Sequence, residues 1–376
     1  MTFALTSDQE MVRKMVAEFT ASAIAPAAEG IDRERRYPKD LLQQMGGLGL
    51  MGMLVDPKYG GAGTDTVAFA LAVEEVARGC ATTASAMTIH NALAAYVLNL
   101  AEDEELKGRL LPALASGQQV GTLALAEPGA GSDLNGVRAK AVKQGDEYVL
   151  NGLKSFVAGG SHADLYLVFA RVPGTEGLTA FAVPADTPGL RFGLPERMLS
   201  LRGLHYTQLF LNDARVPAAN RVGAEGDGVS LIQRALDVSN IAAAATAVGL
   251  LEAALHESIA FANQRVQFRQ PIKNFQAIQW KIADMEIAIR ESRLLVLEAA
   301  DLRDRGEDFA VAAAAAKVRA TEDAKKHTQD AIRVHGGTGF MRDVPLERFN
   351  RDARALSVFG GTTEMQKAFI AHRKLF

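Results

Sequence analysis

The chain has 376 residues, 48% of them hydrophobic and 23% charged, enough for two or three packed domains with a sizeable core, which excludes a disordered or fibrous chain. Forty-one Lys and Arg against 44 Asp and Glu leave a formal charge of −3, without the broad positive field that nucleic acid or an anionic membrane surface attracts. A single cysteine, Cys80, excludes an internal disulfide and a multi-cysteine zinc site and suits a reducing compartment.

Met1 to Glu10 has no basic region followed by an apolar one, so no signal peptide is expected and a cytoplasmic location is. Ser7 and Glu10 have capping-box spacing, and Met11, Val12, Met15, Val16 and Phe19 then share a helical face until Pro26. Pro38 to Met45, Thr66 to Arg78 and Glu104 to Ala115 are further helical candidates, giving an N-terminal helical domain over 1–118. Short β-type runs follow, at Gly121 to Ala126, Glu147 to Leu150, Leu165 to Val172, Leu178 to Val183 and Thr207 to Leu211. Gly, Pro, Asn and Asp separate them, as in a small antiparallel barrel or sandwich over 119–225. Long helices return over 226–376, at Val229 to Asn263, Phe275 to Arg305, Phe309 to Gly336 and Thr362 to Lys374. Alanine is dense at Ala242 to Ala247 and Ala312 to Ala316, which lets helices approach closely in a bundle. The most apolar stretch, Ile241 to Leu255, contains Glu252 and is shorter than the roughly 20 residues a spanning helix needs, so no membrane partner is expected.

Three motifs are decoys. Gly47, Gly49 and Gly52 have dinucleotide-fingerprint spacing but follow a helix rather than a strand, so they read as a turn. Gly159 to Ala163 misses the last glycine of a nucleophile elbow and also reads as a turn. The seven histidines form no HxH or HExxH arrangement, and no metal is expected. Two glycine-bearing segments have more chemistry. Glu127-Pro128-Gly129-Ala130-Gly131-Ser132-Asp133 can present backbone N–H groups to an anion or a heteroaromatic edge, or can be a plain turn. Gly336-Gly337 closes a long helix beside Arg333 and His335, where donors and a permanent cation suit a pyrophosphate, although taken alone a helix cap is the better reading.

Taken in order, Tyr37-Pro38 to Gly52, Tyr59 to Gly63, Leu125 to Asp133, Asn151 to Lys154, Arg265 to Phe268 with Gln276, His335 to Phe340 and Arg351 to Arg354 resemble the acyl-CoA dehydrogenase family over essentially the whole chain. The resemblance implies a multidomain α+β fold with an N-terminal helical domain, a middle β-barrel and a C-terminal four-helix bundle. It also implies a non-covalent FAD, completed by another subunit of a homotetramer, an acyl-CoA thioester as substrate and an electron-transferring flavoprotein as partner. By the same carry-over, Leu123, Leu125, Glu127, Gly131, Ser132, Phe156, Val157 and Ala158 would surround the isoalloxazine. Arg265, Phe268, Gln276, Arg333, Gly336, Gly337, Thr362 and Glu364 would hold the remainder, with the Arg265 guanidinium suited to a phosphate. Ser132, Asp237, Asn240, Gly360 and Gly361 would contact the thioester substrate.

Where the family places its glutamate base, before Gly-Thr, this chain has Gly360; at the alternative position on the first bundle helix it has Ser239, and Asn240 replaces the Arg of that segment. Phe156 stands for a frequent Trp, and Ala158 for a hydroxyl residue near flavin N5. Three readings follow: a dehydrogenase whose base is Asp237, His90, His205 or Glu364; a non-dehydrogenating enzyme such as a sulfinoacyl-CoA desulfinase; or a silent FAD and acyl-CoA binder. The desulfinase reading expects an Arg on the helix containing Thr82 to Ala86, but none occurs between Arg78 and Arg109.

Overall fold

A computed structural model describes residues 4–376. The N-terminal helices are α1 (Ser7–Phe19), α2 (Ala25–Glu34), α3 (Lys39–Gly47), α4 (Thr66–Gly79), α5 (Ala81–Thr88), α6 (Tyr96–Asn99) and α7 (Glu104–Ala115). Thr6, not Ser7, caps α1: its hydroxyl accepts from the Gln9 amide while the Gln9 side chain accepts from the Thr6 amide. Nor does Pro26 end the first helix. A π-helical turn at Thr20–Ile24 carries α1 into α2, where Pro26 stands in the first turn, a position that needs no N–H partner. A second π segment, Ile89–Ala95, joins α5 to α6. The run between Cys80 and Asn99 has no side-chain cap at its start, and the sequence reading places a helix only around Thr82 to Ala86, short of the segment that continues to Asn99.

The middle region contains β1 (Gly121–Ala124), β2 (Lys140–Gln144), β3 (Glu147–Val157), β4 (Leu165–Ala170), β5 (Thr179–Pro184), β6 (Leu190–Phe192), β7 (Thr207–Pro217) and β8 (Arg221–Val222). They form two four-stranded sheets, ordered β1-β4-β5-β8 and β2-β3-β7-β6. All neighbours are antiparallel except β1 and β4, which run parallel with Gly121 opposite Leu165. The expectation of a wholly antiparallel barrel is corrected there, because β1 enters from α7 at the same end as β4. A compact core of Tyr148, Tyr166, Val168, Phe181 and Leu209 lies between the sheets.

The last region holds α8 (Gly228–Gln264), a two-stranded hairpin of β9 (Val266–Gln267) and β10 (Gln270–Pro271), α9 (Gln276–Asp304), α10 (Ala310–His335), α11 (Leu346–Leu356) and α12 (Thr363–Leu375). Helix α8 is far longer than the apolar stretch read from the sequence and contains a window apolar enough to cross a membrane, but 89% of that window is buried inside the protein. Small residues explain the burial. A Cβ on Gly249 would lie 2.3 Å from the Glu74 carbonyl oxygen, so only glycine lets α4 come this close to α8. Ion pairs fix the same seam: Arg293 on α9 reaches Glu74 on α4 and Glu252 on α8, both at 2.6 Å. On the other side, Arg351 on α11 grips Asp32 on α2 at 2.7 and 3.0 Å, while the Asp352 carboxylate accepts from the Leu201 amide at 2.8 Å. These contacts clamp the three regions around one corner of the molecule.

Candidate functional site

The predicted residues fall into three groups, each built by different elements. The first lies where β1 and β3 leave the barrel. The Thr122 hydroxyl donates to the Ala158 carbonyl at 2.8 Å, and the Ser155 amide donates to the Ala126 carbonyl at 2.8 Å. Leu123 and Leu125 therefore run beside Phe156, Val157 and Ala158. Phe156 has φ +54° and is 61% exposed, an apolar ring presented outward in a costly backbone conformation. The Val157 side chain, by contrast, is buried in the barrel core, so only its backbone can face a cofactor.

Glu127 braces this edge from within. Its carboxylate accepts from the Arg138 and Ala139 amides at 2.7 and 2.9 Å and from Lys154 Nζ at 2.8 Å. Lys154 also donates to the Leu125 carbonyl at 3.0 Å. Burial opposes the charge on Glu127, but Lys154 and the two amides outweigh it and hold the carboxyl below its ordinary range. With both oxygens engaged, Glu127 positions the loop that carries Gly131 and Ser132. A Cβ on Gly129 or Gly131 would meet nothing within 4 Å. The open space over this loop, beside an exposed aromatic ring, fits a planar heteroaromatic group.

The second group sits at the far end of the bundle. Ala262, Ile272 and Val334 form a small core there, flanked by Phe261, Phe275 and Ile278. This core seats the hairpin carrying Arg265 and Phe268, the first turn of α9 with Gln276, and the end of α10 with Arg333, Gly336 and Gly337. Phe268, at φ +50°, is 86% exposed, and Gly336 and Gly337 face open space. Arg265 is exposed, while Arg333 pairs with Asp330 at 3.2 Å. A guanidinium, an outward aromatic ring and bare backbone together suit a nucleotide with a pyrophosphate.

The third group surrounds the loop between α11 and α12. Gly360 and Gly361 have φ +63° and +105°. A Cβ on Gly361 would come within 2.8 Å of Gln366 Nε2, whereas one on Gly360 would find ordinary space: 3.6 Å to Lys317 Nζ, 3.8 Å to Leu236 Cδ2 and 3.9 Å to Ser239 Oγ. Gly360 and Ser239, the two positions where a carboxylate base was sought, thus face the same spot. Asn240 Nδ2 donates to Gln366 Oε1 at 3.3 Å, and Asn240 Oδ1 is buried without a partner. Thr362 caps α12, accepting from the Met365 amide, and Glu364 is exposed in its first turn.

Lys317, on α10, was missed in the sequence. It is 2% exposed and donates to both carbonyls that flank Gly360, those of Phe359 and, at 2.8 Å, Gly361. Burial pushes its pKa down to about 7. The signal lay in the alanine-rich run: Lys317 follows Ala312 to Ala316 and shares a buried face with Ala313, Ala320 and Ala324, where a cation needs a reason to be.

The four groups named as substitute bases separate clearly. His90 is fully buried. Its Nδ1 accepts from the Gly121 amide at 3.0 Å, its Nε2 faces the Met51 and Leu114 carbonyls, and burial lowers its pKa to about 4. Both its nitrogens are spent on structure. His205 pairs with His162 at 3.1 Å and with the Arg35 carbonyl, in the seam between the barrel and α2. Glu364 lies at the surface, its carboxyl lowered by its own backbone amide and by Thr362. Asp237, raised by burial to about 6, lines a cavity of about 420 Å³ with Tyr96, Arg234, Arg303 and Phe309. Two residues along α8 from Ser239, it projects about 200° around the helix from that side chain.

The first and third groups meet through the barrel, where Tyr206 packs on Phe359 with ring centroids 5.8 Å apart. The second does not join them within one chain. Lys317 and His335 lie 18 residues apart along α10, about 27 Å at 1.5 Å per residue.

Comparison with known proteins covers all three regions. Residues 6–118, 122–214 and 226–375 match the N-terminal, middle and C-terminal domains of acyl-CoA dehydrogenase. An acyl-CoA dehydrogenase of Bacillus subtilis is 41% identical, with 98% of each chain covered. The structure of butyryl-CoA dehydrogenase from Megasphaera elsdenii superposes with a TM-score of 0.97 at 35% identity, covering 100% of both chains. A glutaryl-CoA dehydrogenase from Mycobacterium smegmatis in complex with FADH2 gives 0.94 at 28% identity, covering 99% of this chain and 95% of that one.

Proposed function

This chain belongs to the acyl-CoA dehydrogenase family, and from that premise we propose that it is an FAD-dependent oxidoreductase acting on the CH–CH group of an acyl-CoA thioester. The observation that carries the reading is the preserved cradle: an open Gly129–Gly131 loop, braced by Glu127 and Lys154, beside the outward ring of Phe156. FAD supplies the hydride acceptor when bound there.

The protein's own residues do the rest. Leu123, Leu125, Phe156 and the Val157–Ala158 backbone form the wall for the flavin ring, and Gly131 and Ser132 the loop over it. Thr362 and Glu364 stand at the start of α12, near the loop of Gly360. Arg265, Phe268, Gln276, Arg333, Gly336 and Gly337 receive the nucleotide end. Because that end lies about 27 Å along α10 from the Lys317 that holds the Gly360 loop, one copy's bundle end completes the cofactor site of another. The exposed stripe of Trp280, Ile287 and Leu294, spaced seven apart along α9, supports this self-assembly, which in the family is a homotetramer. An electron-transferring flavoprotein is the proposed acceptor of the electrons.

Ser132, Asp237 and Asn240 are assigned to the thioester substrate, and the Gly360 N–H to its carbonyl oxygen, where one such donor is worth roughly 2.7–4 kcal/mol. Gly361 lets the loop turn under Gln366. A desulfinase would need a cation for the sulfinate on α5, where Thr82, Thr83, Ser85 and Thr88 are the polar residues.

Anaerobic titration of the purified yellow protein with acyl-CoAs of graded length tests the reading. Bleaching of the flavin band is expected with at least one of them. Sulfite release from a sulfinoacyl-CoA without bleaching would replace it with the desulfinase reading, and binding without any spectral response would leave a silent binder.

A further inference from the structure

The family's two usual carboxylate positions are empty of acid here, at Gly360 and Ser239, yet the spot they face is not empty of basic chemistry. Resting on the acyl-thioester reading above, we infer that Lys317 is the catalytic base of this protein, its Nζ accepting the proton from Cα of the acyl group directly or through one water in the space that the missing Gly360 side chain leaves.

Three observations converge on this. The first is position. Nζ lies 3.6 Å from where a Cβ on Gly360 would be, nearer than any other group, and Ser239 Oγ shares the same pocket at 3.9 Å. The second is hydrogen-bond arithmetic. An uncharged amine has two N–H donors and one lone pair. The Phe359 and Gly361 carbonyls take two donors, which leaves the neutral form fully satisfied with its lone pair free. The ammonium would carry a third, unused donor in a buried site. The third is isolation. Burial alone moves the Lys317 titration, with no charged neighbour contributing.

Carboxylates and several cations on α8, α10, α11 and α12 are engaged elsewhere. On α10, Asp323 holds Arg319 at 2.7 Å and Glu322 holds Lys325 at 2.7 Å. On α8, Asp237 takes Gln233 at 3.2 Å. On α11, Arg351 is bound to Asp32 and Glu347, and Asp352 to the Leu201 amide. On α12, Glu364 is held by its own backbone amide and by Thr362. A lysine desolvated in this way, uncharged near neutrality, is a competent general base.

The step balances without any further reagent. The Cα–H bond breaks, its electron pair stays on the carbon as the enolate of the thioester, and the proton joins the Nζ lone pair to make an ammonium. The Gly360 N–H lies at the oxygen where the enolate charge develops. Lys317 also holds the loop by its two carbonyls, so the test must separate base from brace.

The experiment measures exchange of the Cα protons of butyryl-CoA into deuterated water by the FAD-loaded protein, with flavin content and thermal unfolding recorded for each variant. Lys317→Met is expected to retain flavin and lose at least 100-fold in exchange. Adding Gly360→Glu to Lys317→Met is expected to restore exchange, with its pH midpoint moved from about 7 into the carboxylate range. A residue that only braced the loop would give no such move. As a readout independent of catalysis, protein labelled with nitrogen-15 at lysine Nζ should contain one amine titrating near pH 7 that is absent from Lys317→Met.

Exchange by Lys317→Met within threefold of the parent, or no Nζ titrating below pH 9, overturns the inference while leaving the acyl-CoA reading intact. If the parent protein neither exchanges nor bleaches with any acyl-CoA, both fall together. Should Lys317→Met fail to fold, the parent's own nitrogen-15 titration and its exchange profile against pH decide the matter.

Discussion

Two lysines in this protein are almost wholly buried, Lys154 at 0% and Lys317 at 2% exposed; Lys154 donates to the Leu125 carbonyl and Lys317 to the two carbonyls flanking Gly360. Lys154 has Glu127 at 2.8 Å. Lys317 has no carboxylate. Burial lowers both, but at Lys154 the Glu127 charge opposes the loss of the proton. The first lysine is therefore a brace for the Gly129–Gly131 loop, and the second a group able to release and recover a proton. The difference lies in the partner and not in the residue type: charge in the interior is kept where it is paired and lost where it is not.

The largest effect should come from breaking the pair at Lys154. Glu127→Ala leaves a buried ammonium and two unanswered amides, Arg138 and Ala139, and should destabilise the protein by about 3–5 kcal/mol. Denaturant titration followed by flavin fluorescence should detect this, with flavin release preceding loss of helix. Next comes the loop under Lys317. Gly361→Ala forces a Cβ into a backbone at φ +105° and against Gln366, at a cost of roughly 1–3 kcal/mol, and should weaken butyryl-CoA binding in calorimetry.

Removing both partners of the pair, Glu127→Leu with Lys154→Met, sharpens the contrast. Apolar replacement of a whole buried pair is often neutral, so this double variant should unfold close to the parent and well above Glu127→Ala. The last effect is a slope. Lys317 holds its proton up to pH 10.5 when unfolded but only to about 7 when folded. Between those values the unfolded chain binds the extra proton, so stability rises with pH there; below about 7 the penalty is complete and constant. Lys317→Met should lose that rise, as followed by denaturant midpoints from pH 6 to 9.

The bundle was the most legible part of the sequence, since Ala242 to Ala247 and the long apolar periodicities have only one sensible packing. Glu104–Ala115 was also plain, because Asp103 caps it and Ser116 ends it. Helix starts misled by one residue where Thr6 and Ser7 both offer a hydroxyl, and Pro26 misled because a proline in a helix's first turn reads like a stop. The parallel pairing of β1 with β4 depends on where α7 delivers the chain, which no local run encodes.

At the site, motif order revealed the glycines of both cradles and the absence of acid at Gly360. Lys317 escaped because its meaning is tertiary: 42 residues separate it from the Phe359 carbonyl, and in the sequence it is one lysine after a row of alanines. Val157 was named with its neighbours although strand alternation turns its side chain into the barrel.

The claim that a lysine has taken over from the absent acid is tested most directly by the pH dependence of Cα proton exchange in the unmodified, FAD-loaded protein. The rate should rise tenfold per pH unit below about 7 and level off above it. A rate already level from pH 5.5 upward would mean that a carboxylate takes the proton, and Lys317 would be no more than a second brace.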